Sequence, residues 1–212
     1  TNSVQRATGK ETARIFKKGF SDRSLPDLEL LLYHDDQRIR QAAQFAMVQK
    51  GSSSINTLKS VLNDEGAKNQ ASLHALWGLG QLYRKGETSA ADPLIKSLSS
   101  EYAEIRANAA RTCGDIALSS SIEPLISLLN DSSKRVVSLA AIALGRVASS
   151  GDQQAVEALF KRCETNGGSS FDVTVRHAIL SALSRLASPE QTLAMTKADS
   201  FEKRMLSLLV CR

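Results

Sequence analysis

One pattern recurs along the chain and limits what it can fold into. EIRANAARTCGDIA, from Glu104 to Ala117, returns in altered form as RIRQAAQFAMVQKG from Arg38, ASLHALWGLGQLYRKG from Ala71, RVVSLAAIALGRVA from Arg135 and TVRHAILSALSRLA from Thr174. In each copy apolar residues fall at i, i+4 and i+8: Ile39, Ala43 and Met47 in the first, Ile105, Ala109 and Cys113 in the third, Val136, Ala140 and Leu144 in the fourth. That spacing puts them on one stripe of an α-helix. A second apolar run precedes each stripe, beginning at Leu28, Ile55, Pro93, Pro124 and Val156. Aligning Val48, Gly80, Gly114, Gly145 and Ser184 gives a unit of 31 to 39 residues, lengthened in the last copy by ETNGGSS at 164–170. A two-helix unit of that length cannot hide its apolar side alone and has to stack on its neighbours. The expected fold is all-α: a right-handed superhelix, or solenoid, of about five repeats and a partial sixth.

The punctuation agrees with this division. Pro26, Pro93, Pro124 and Pro189 each stand at the start of an apolar run, where a missing N–H costs nothing. Gly51, Gly86 and Gly151 follow the second helices, in the place of a helix-ending residue with positive φ. The expected repeats are 24–51, 53–86, 89–118, 121–151 and 153–187, with a partial unit at 188–212. The polar segment 1–20, with a helix at ETARIFKKGF, is expected to cover the open side of the first repeat, and 164–170 to form a mobile loop. Ala43, Ala75, Ala109 and Ala140 are small enough for adjacent helices to approach closely, and Ile179 breaks that rule.

Hydrophobic residues make up 42% of the chain but aromatics only 5%, so the core must be built from Ala, Leu, Ile and Val. The formal net charge of +5 is spread without blocks, which disfavours a nucleic-acid groove, since that needs a concentrated basic stripe. Cys113, Cys163 and Cys211 are too few for a disulfide framework, and Cys113 replaces the Met or Leu of other copies as a small core residue. No apolar run approaches a membrane span. With no initiator Met and an ending inside an apparent helix, the sequence reads as a piece of a longer protein.

The form L-x-x-L-L, an Asp/Asn turn, then [IV]-R-x-x-A-A resembles HEAT repeats of the short, lyase-like subclass, from about Leu25 to Ala187. The resemblance implies that Arg40, Arg106 and Arg176 form a structural ladder, with Asp35, Asp36 and Glu104 as partners; anion binding is the alternative role. Five residues beyond that arginine position stand Phe45, Trp77, Arg111, Ile142 and Ser181, and one turn further Gln49, Gln81, Asp115, Arg146 and Arg185. Both columns lie off the apolar stripe, toward the expected concave surface. Phe45, Leu73, Trp77, Arg111 and Ile142 are therefore candidates for a partner-binding patch, Trp and Arg being favoured anchors. The alternative is that they pack against the N-terminal segment or a neighbouring repeat.

Catalytic and metal-binding residues are not expected in this segment. His34, His74 and His177 lack convergent ligands and read as packing or turn residues. GLG at Gly78 to Gly80 falls inside a helix and is no phosphate loop. The order of the copies RIRQAAQFAMVQKG, LHALWGLGQLYRKG, EIRANAARTCGDIA and VRHAILSAL is also similar to the middle region of planctomycete- and verrucomicrobial-type multidomain proteins. Those join a β-propeller resembling membrane-bound dehydrogenases to a C-terminal c-type cytochrome segment. That resemblance implies a secreted or periplasmic redox protein, with haem in another part of the parent and none in this segment; without it, a cytoplasmic setting is expected. The function expected is a non-catalytic scaffold whose partners are proteins or adjacent domains of the same chain. The alternative is a HEAT-like enzyme using its concave face, similar to bilin lyases or DNA glycosylases.

Overall fold

The computed structural model describes residues 2–64, 69–164 and 172–211. Residues 65–68, and 165–170 of the expected insertion, lie outside the described residues. Every regular element among the described residues is helical. The chain divides into two compact units, Thr1–Leu94 and Ile95–Arg212.

The first unit holds α1 (Asn2–Lys18), α2 (Leu25–Leu32), α3 (Gln37–Gln49), α4 (Ile55–Asn63), α5 (Asn69–Arg84) and the start of α6 (Ala91–Ser97). Here α2 packs on α3, α4 on α5, and α3 lies beside α5. Leu28, Leu32, Ile39, Met47, Leu58, Leu76 and Leu79 have no solvent-exposed surface, so the apolar stripes face one another. Burying each such side chain contributes roughly 1.5–3 kcal/mol. Ser24 caps α2 by accepting from the Asp27 N–H, with Pro26 in the first turn. α1 is held more lightly: Thr12, the one buried side chain among its described residues, donates to Asp36 (3.1 Å).

The second unit continues α6 and adds α7 (Ala103–Asp115), α8 (Ile122–Leu128), α9 (Lys134–Val147), α10 (Gln153–Glu164), α11 (Val173–Leu186), α12 (Pro189–Met195) and α13 (Phe201–Val210). α8 and α10 back onto α9 and α11, while α7, α9 and α11 stack side by side. Ala109, Ala140 and Ile179 are all fully buried, so a large residue is accommodated at the last of these positions. The tightest approach lies elsewhere. A Cβ on Gly114 would fall 2.8 Å from the Cα of Ala143, and one on Gly145 would fall 2.9 Å from the Cα of Ala182. Further along, Gly151 donates its N–H to the Leu186 carbonyl (2.7 Å) and its own carbonyl accepts from Gln191 Nε2 (3.1 Å).

Short 3-10 segments, Gly51–Ser54, Thr88–Ala90 and Ser119–Ser121, lead into α4, α6 and α8. Each ends on a fully buried small residue, Ser54, Ala90 or Ser121. The two serines donate to the Met47 and Leu118 carbonyls at 2.6 Å, so no buried hydroxyl is left unpaired there.

Gly51, Gly86 and Gly151 all adopt positive φ. The end of α7 makes the same turn with Ala117 at φ 51, its neighbour Leu118 donating to the Cys113 carbonyl (3.0 Å) as Glu87 donates to Leu82 after α5. An L-residue there is strained by about 1 kcal/mol. Ala117→Gly should therefore stabilise the protein by roughly 0.5–1 kcal/mol in urea unfolding, unlike glycine introduced inside a helix, which destabilises.

Candidate functional site

Each second helix leaves one ridge uncovered, and the predicted partner-binding residues stand on these ridges, in two sets. In the first unit the α3 ridge carries Gln41, Phe45 and Gln49, and the α5 ridge carries Leu73, Trp77 and Gln81. Phe45 is 45% and Trp77 37% exposed, at equivalent places on adjacent helices, and Leu73 is half-buried. Large aromatic side chains left in water forgo substantial burial, which is why such surfaces mark contact sites.

Trp77 is positioned from beneath. Its ring meets His74 edge-on, with centroids 5.2 Å apart and planes at 79°. His74 is buried and donates from Nδ1 to Gln44 Oε1 at 2.7 Å. A Cβ on Gly78 would already touch Leu58 Cδ1 (3.2 Å) and Gln44 Cγ (3.5 Å), so this layer has little slack. Burial, with the charge of Arg40 adding to it, pushes the His74 pKa down to about 4.

The native state thus keeps His74 neutral while the unfolded chain takes up a proton near its ordinary value of 6.5. The stabilisation is complete above that value and is lost as pH falls from 6.5 toward 4. Unfolding measured from pH 7 to 4 should show a decline on the order of 2 kcal/mol, and His74→Gln should flatten it.

In the second unit Arg111 is exposed on α7 and Ile142 is half-buried on the α9 ridge with Arg135, Leu139 and Arg146. Arg111 Nε pairs with Asp115 (3.6 Å), and Arg146 donates from Nη1 to the other oxygen of the same carboxylate.

Of the predicted ladder arginines, Arg106 does pair with an acid of the neighbouring repeat, but the acid is not one of those expected. Arg40 Nη1 donates to the His34 and Asp35 carbonyls (2.7 and 2.8 Å), closing the turn before its own helix. Arg106 repeats this fork on Ser100 and Glu101 (2.7 and 2.8 Å) and adds a bidentate pair to Asp131 of the next repeat, at 2.7 and 3.0 Å. Asp36 instead binds Arg38 and Thr12, and Glu104 binds Arg135 and Asn108. Arg176 is half-buried on α11, and the turn carbonyls equivalent to those of the other forks lie outside the described residues. The sequence reading missed Arg204, which makes the same fork on Ala198 and Asp199 (2.7 Å each). Its signal was a serine cap four residues earlier, Ser200, in a unit treated as partial.

Three carboxylates are held ionised by partners within the fold. The Arg38 guanidinium holds Asp36 well below the usual carboxylate range, and Lys134 with the first N–H groups of α11 does the same for Asp172. Burial raises Asp131, but the Arg106 fork and the Ser133 N–H outweigh it and the net shift is downward. All three are therefore ionised at neutral pH, whereas a general acid needs a raised carboxyl pKa. Burial pushes the Cys113 thiol up to about 12, as suits a core residue. His34 accepts the Asp36 N–H at 2.9 Å in the turn before α3, and His177 is exposed on α11. Among the described residues no cluster of three or more His, Cys, Asp or Glu could hold a metal ion, and no helix is long and apolar enough to cross a membrane.

Residues 91–170 match the family described as HEAT repeats. Solved structures with similar folds include an engineered protein (TM-score 0.55, 20% identity, 89% of this chain and 97% of that one). Another is a designed armadillo repeat protein (TM-score 0.52, 19% identity, 88% of this chain and 98% of that one). A third comes from computationally designed armadillo repeat proteins for modular peptide recognition (TM-score 0.52, 19% identity, 89% and 98%). No curated protein matches the sequence. At these identities the likeness concerns the fold: an all-α solenoid containing a HEAT-repeat region.

Proposed function

We propose, from a HEAT-repeat region within an all-α solenoid, that this chain is a non-catalytic scaffold whose second-helix ridges dock a protein segment. The observation that carries the reading is the exposure of Phe45 and Trp77 at equivalent positions of neighbouring helices, with Trp77 braced by buried His74. Aromatic side chains fixed at their base and open at their tip are the kind of anchor that dominates interface energetics. Peptide recognition by designed armadillo repeats offers an analogue of the ligand proposed.

The natural partner is an adjacent domain of the same parent protein. The wording of the repeats supports a secreted or periplasmic redox parent, with a propeller and a c-type cytochrome segment that carries the haem. A CxxCH downstream in the full-length gene product supports that setting, and neighbouring domains of other kinds overturn it.

Docking is tested by placing a photo-crosslinking residue at Phe45 or Trp77 of the full-length protein, with Leu30, 72% exposed on α2, as the control. Crosslinks to a common segment from positions 45 and 77, and none from 30, are expected. Equal yields from all three, or none from 45 and 77, defeat the proposal. In the 212-residue chain by itself Trp77 is the one tryptophan, so its emission should shift to the blue when the same segment is added.

A further inference from the structure

We infer that the second unit carries a separate surface for a short acidic segment, formed by Arg111, Arg146 and Arg185 around Ile142. This deepens the scaffold reading by naming a ligand chemistry for another part of the chain. The argument rests on where positive charge is matched and where it is left over.

At the beginning of α7 and α9 the cations have counter-charges, and Asp172 at the start of α11 supplies one of them. Arg106 is paired with Asp131, Arg135 with Glu104 (3.2 Å) and Lys134 with Asp172 (3.1 Å). At the far end of the same helices the balance fails. Asp115 alone serves both Arg111 and Arg146, and Arg185 stands exposed in the last turn of α11. Three acids of the backing layer are engaged elsewhere: Glu123 accepts from Gln154, Glu157 from Gln153 (2.8 Å), and Asp152 from the Ala155 N–H (2.9 Å). Three arginines and one described carboxylate partner thus belong to the C-terminal halves of three stacked helices.

Cations in last turns complement the helix dipole, which accounts for Arg146 and Arg185 lying there. The dipole does not use the Arg185 fork, which is open to solvent, and Arg146 spends only Nη1 on Asp115, so both remain suited to binding carboxylates. Adjacent helix axes lie about 8–10 Å apart, and an extended peptide rises about 3.3 Å per residue, so carboxylates two or three residues apart meet successive helices. Ile142 supplies an apolar seat between them. A nucleic-acid backbone fits less well, because a cluster of only three cations is far short of the concentrated basic stripe that a run of phosphates needs.

The test is fluorescence anisotropy with a labelled dodecapeptide of Glu-Leu-Glu repeats and its Gln-Leu-Gln counterpart, on the whole chain. The acidic peptide should bind about tenfold more tightly than the neutral one, and its affinity should fall as salt rises from 50 to 300 mM. Arg146→Glu and Arg185→Glu should each weaken it about fivefold or more, while Asp115→Asn, which removes the competing carboxylate, should strengthen it about twofold. Equal binding of the two peptides, no binding of either, or tighter binding to duplex DNA of similar length would overturn the proposal. The two-peptide comparison needs no variant and survives any folding defect. Trp77→Ala should leave this affinity unchanged, so failure of the aromatic docking reading and failure of this one are told apart.

Discussion

Valine in place of Gly114 should lower stability by about 3 kcal/mol, a loss expected of overpacking against backbone rather than against a movable side chain. The new Cβ would sit 2.8 Å from the Ala143 Cα and 2.9 Å from its Cβ, and a real Cβ does not approach so closely. α9 would have to retreat from α7. It has nowhere to go, because its other side presents Gly145 against the Cα of Ala182 at 2.9 Å. Relief at one contact therefore compresses the next. Gly145→Val should behave alike, and each change should shift the urea midpoint rather than the slope. Gly9, whose Cβ would meet nothing within 4 Å, is the control: Gly9→Ala should gain up to about 1 kcal/mol from helix propensity. A Gly114→Val protein as stable as the parent would mean that α7 and α9 do not touch as described.

Arg106→Ala should cost about 2–4 kcal/mol, the range for removing one partner from a desolvated pair. The Asp131 side chain is 7% exposed, and without Arg106 it keeps its charge but loses its fork. The Ser100 and Glu101 carbonyls lose their donor as well. Arg106→Lys should recover little, since an ammonium cannot reach two carbonyls and a carboxylate in one plane. Adding Asp131→Asn to Arg106→Ala should return part of the loss, because the stranded charge is gone. The acid limb offers a second readout. Asp131 is held below the usual carboxylate range in the native state, so its stabilisation is present above that range and disappears as pH falls through it. Arg106→Ala should shrink that acid-dependent loss.

Much of this could be read from the residues. Apolar side chains at i, i+4 and i+8 over a unit of 31 to 39 residues leave few alternatives to stacked helix pairs, because any other fold would expose half of them. The outward placement of Phe45 and Trp77 follows from the same periodicity: five residues from the arginine position is off the stripe. Pairings between repeats were harder. Asp131 takes Arg106 and Glu104 takes Arg135, and that choice depends on how the repeats pack rather than on spacing within one of them. The closest helix contact was equally hidden. The alanines at 109 and 140 looked decisive, yet Gly114 against Ala143 is tighter, and which small residues oppose each other depends on the axial offset between helices. Ala117 stayed invisible because an L-residue in a glycine conformation breaks the local rule that sequence reading relies on.

The forks of Arg40, Arg106 and Arg204 reach back only five or six residues, and among the hydrogen bonds described above the widest, Gln191 to Gly151, spans 40. No strand has to wait for a distant partner, so contact order is low and folding should be fast. A nascent chain leaving the ribosome could set one hairpin while the next is still being translated, each finished pair serving as the template for its successor. The same locality means that a pulling force applied at the ends should peel the protein apart hairpin by hairpin, in a series of small steps.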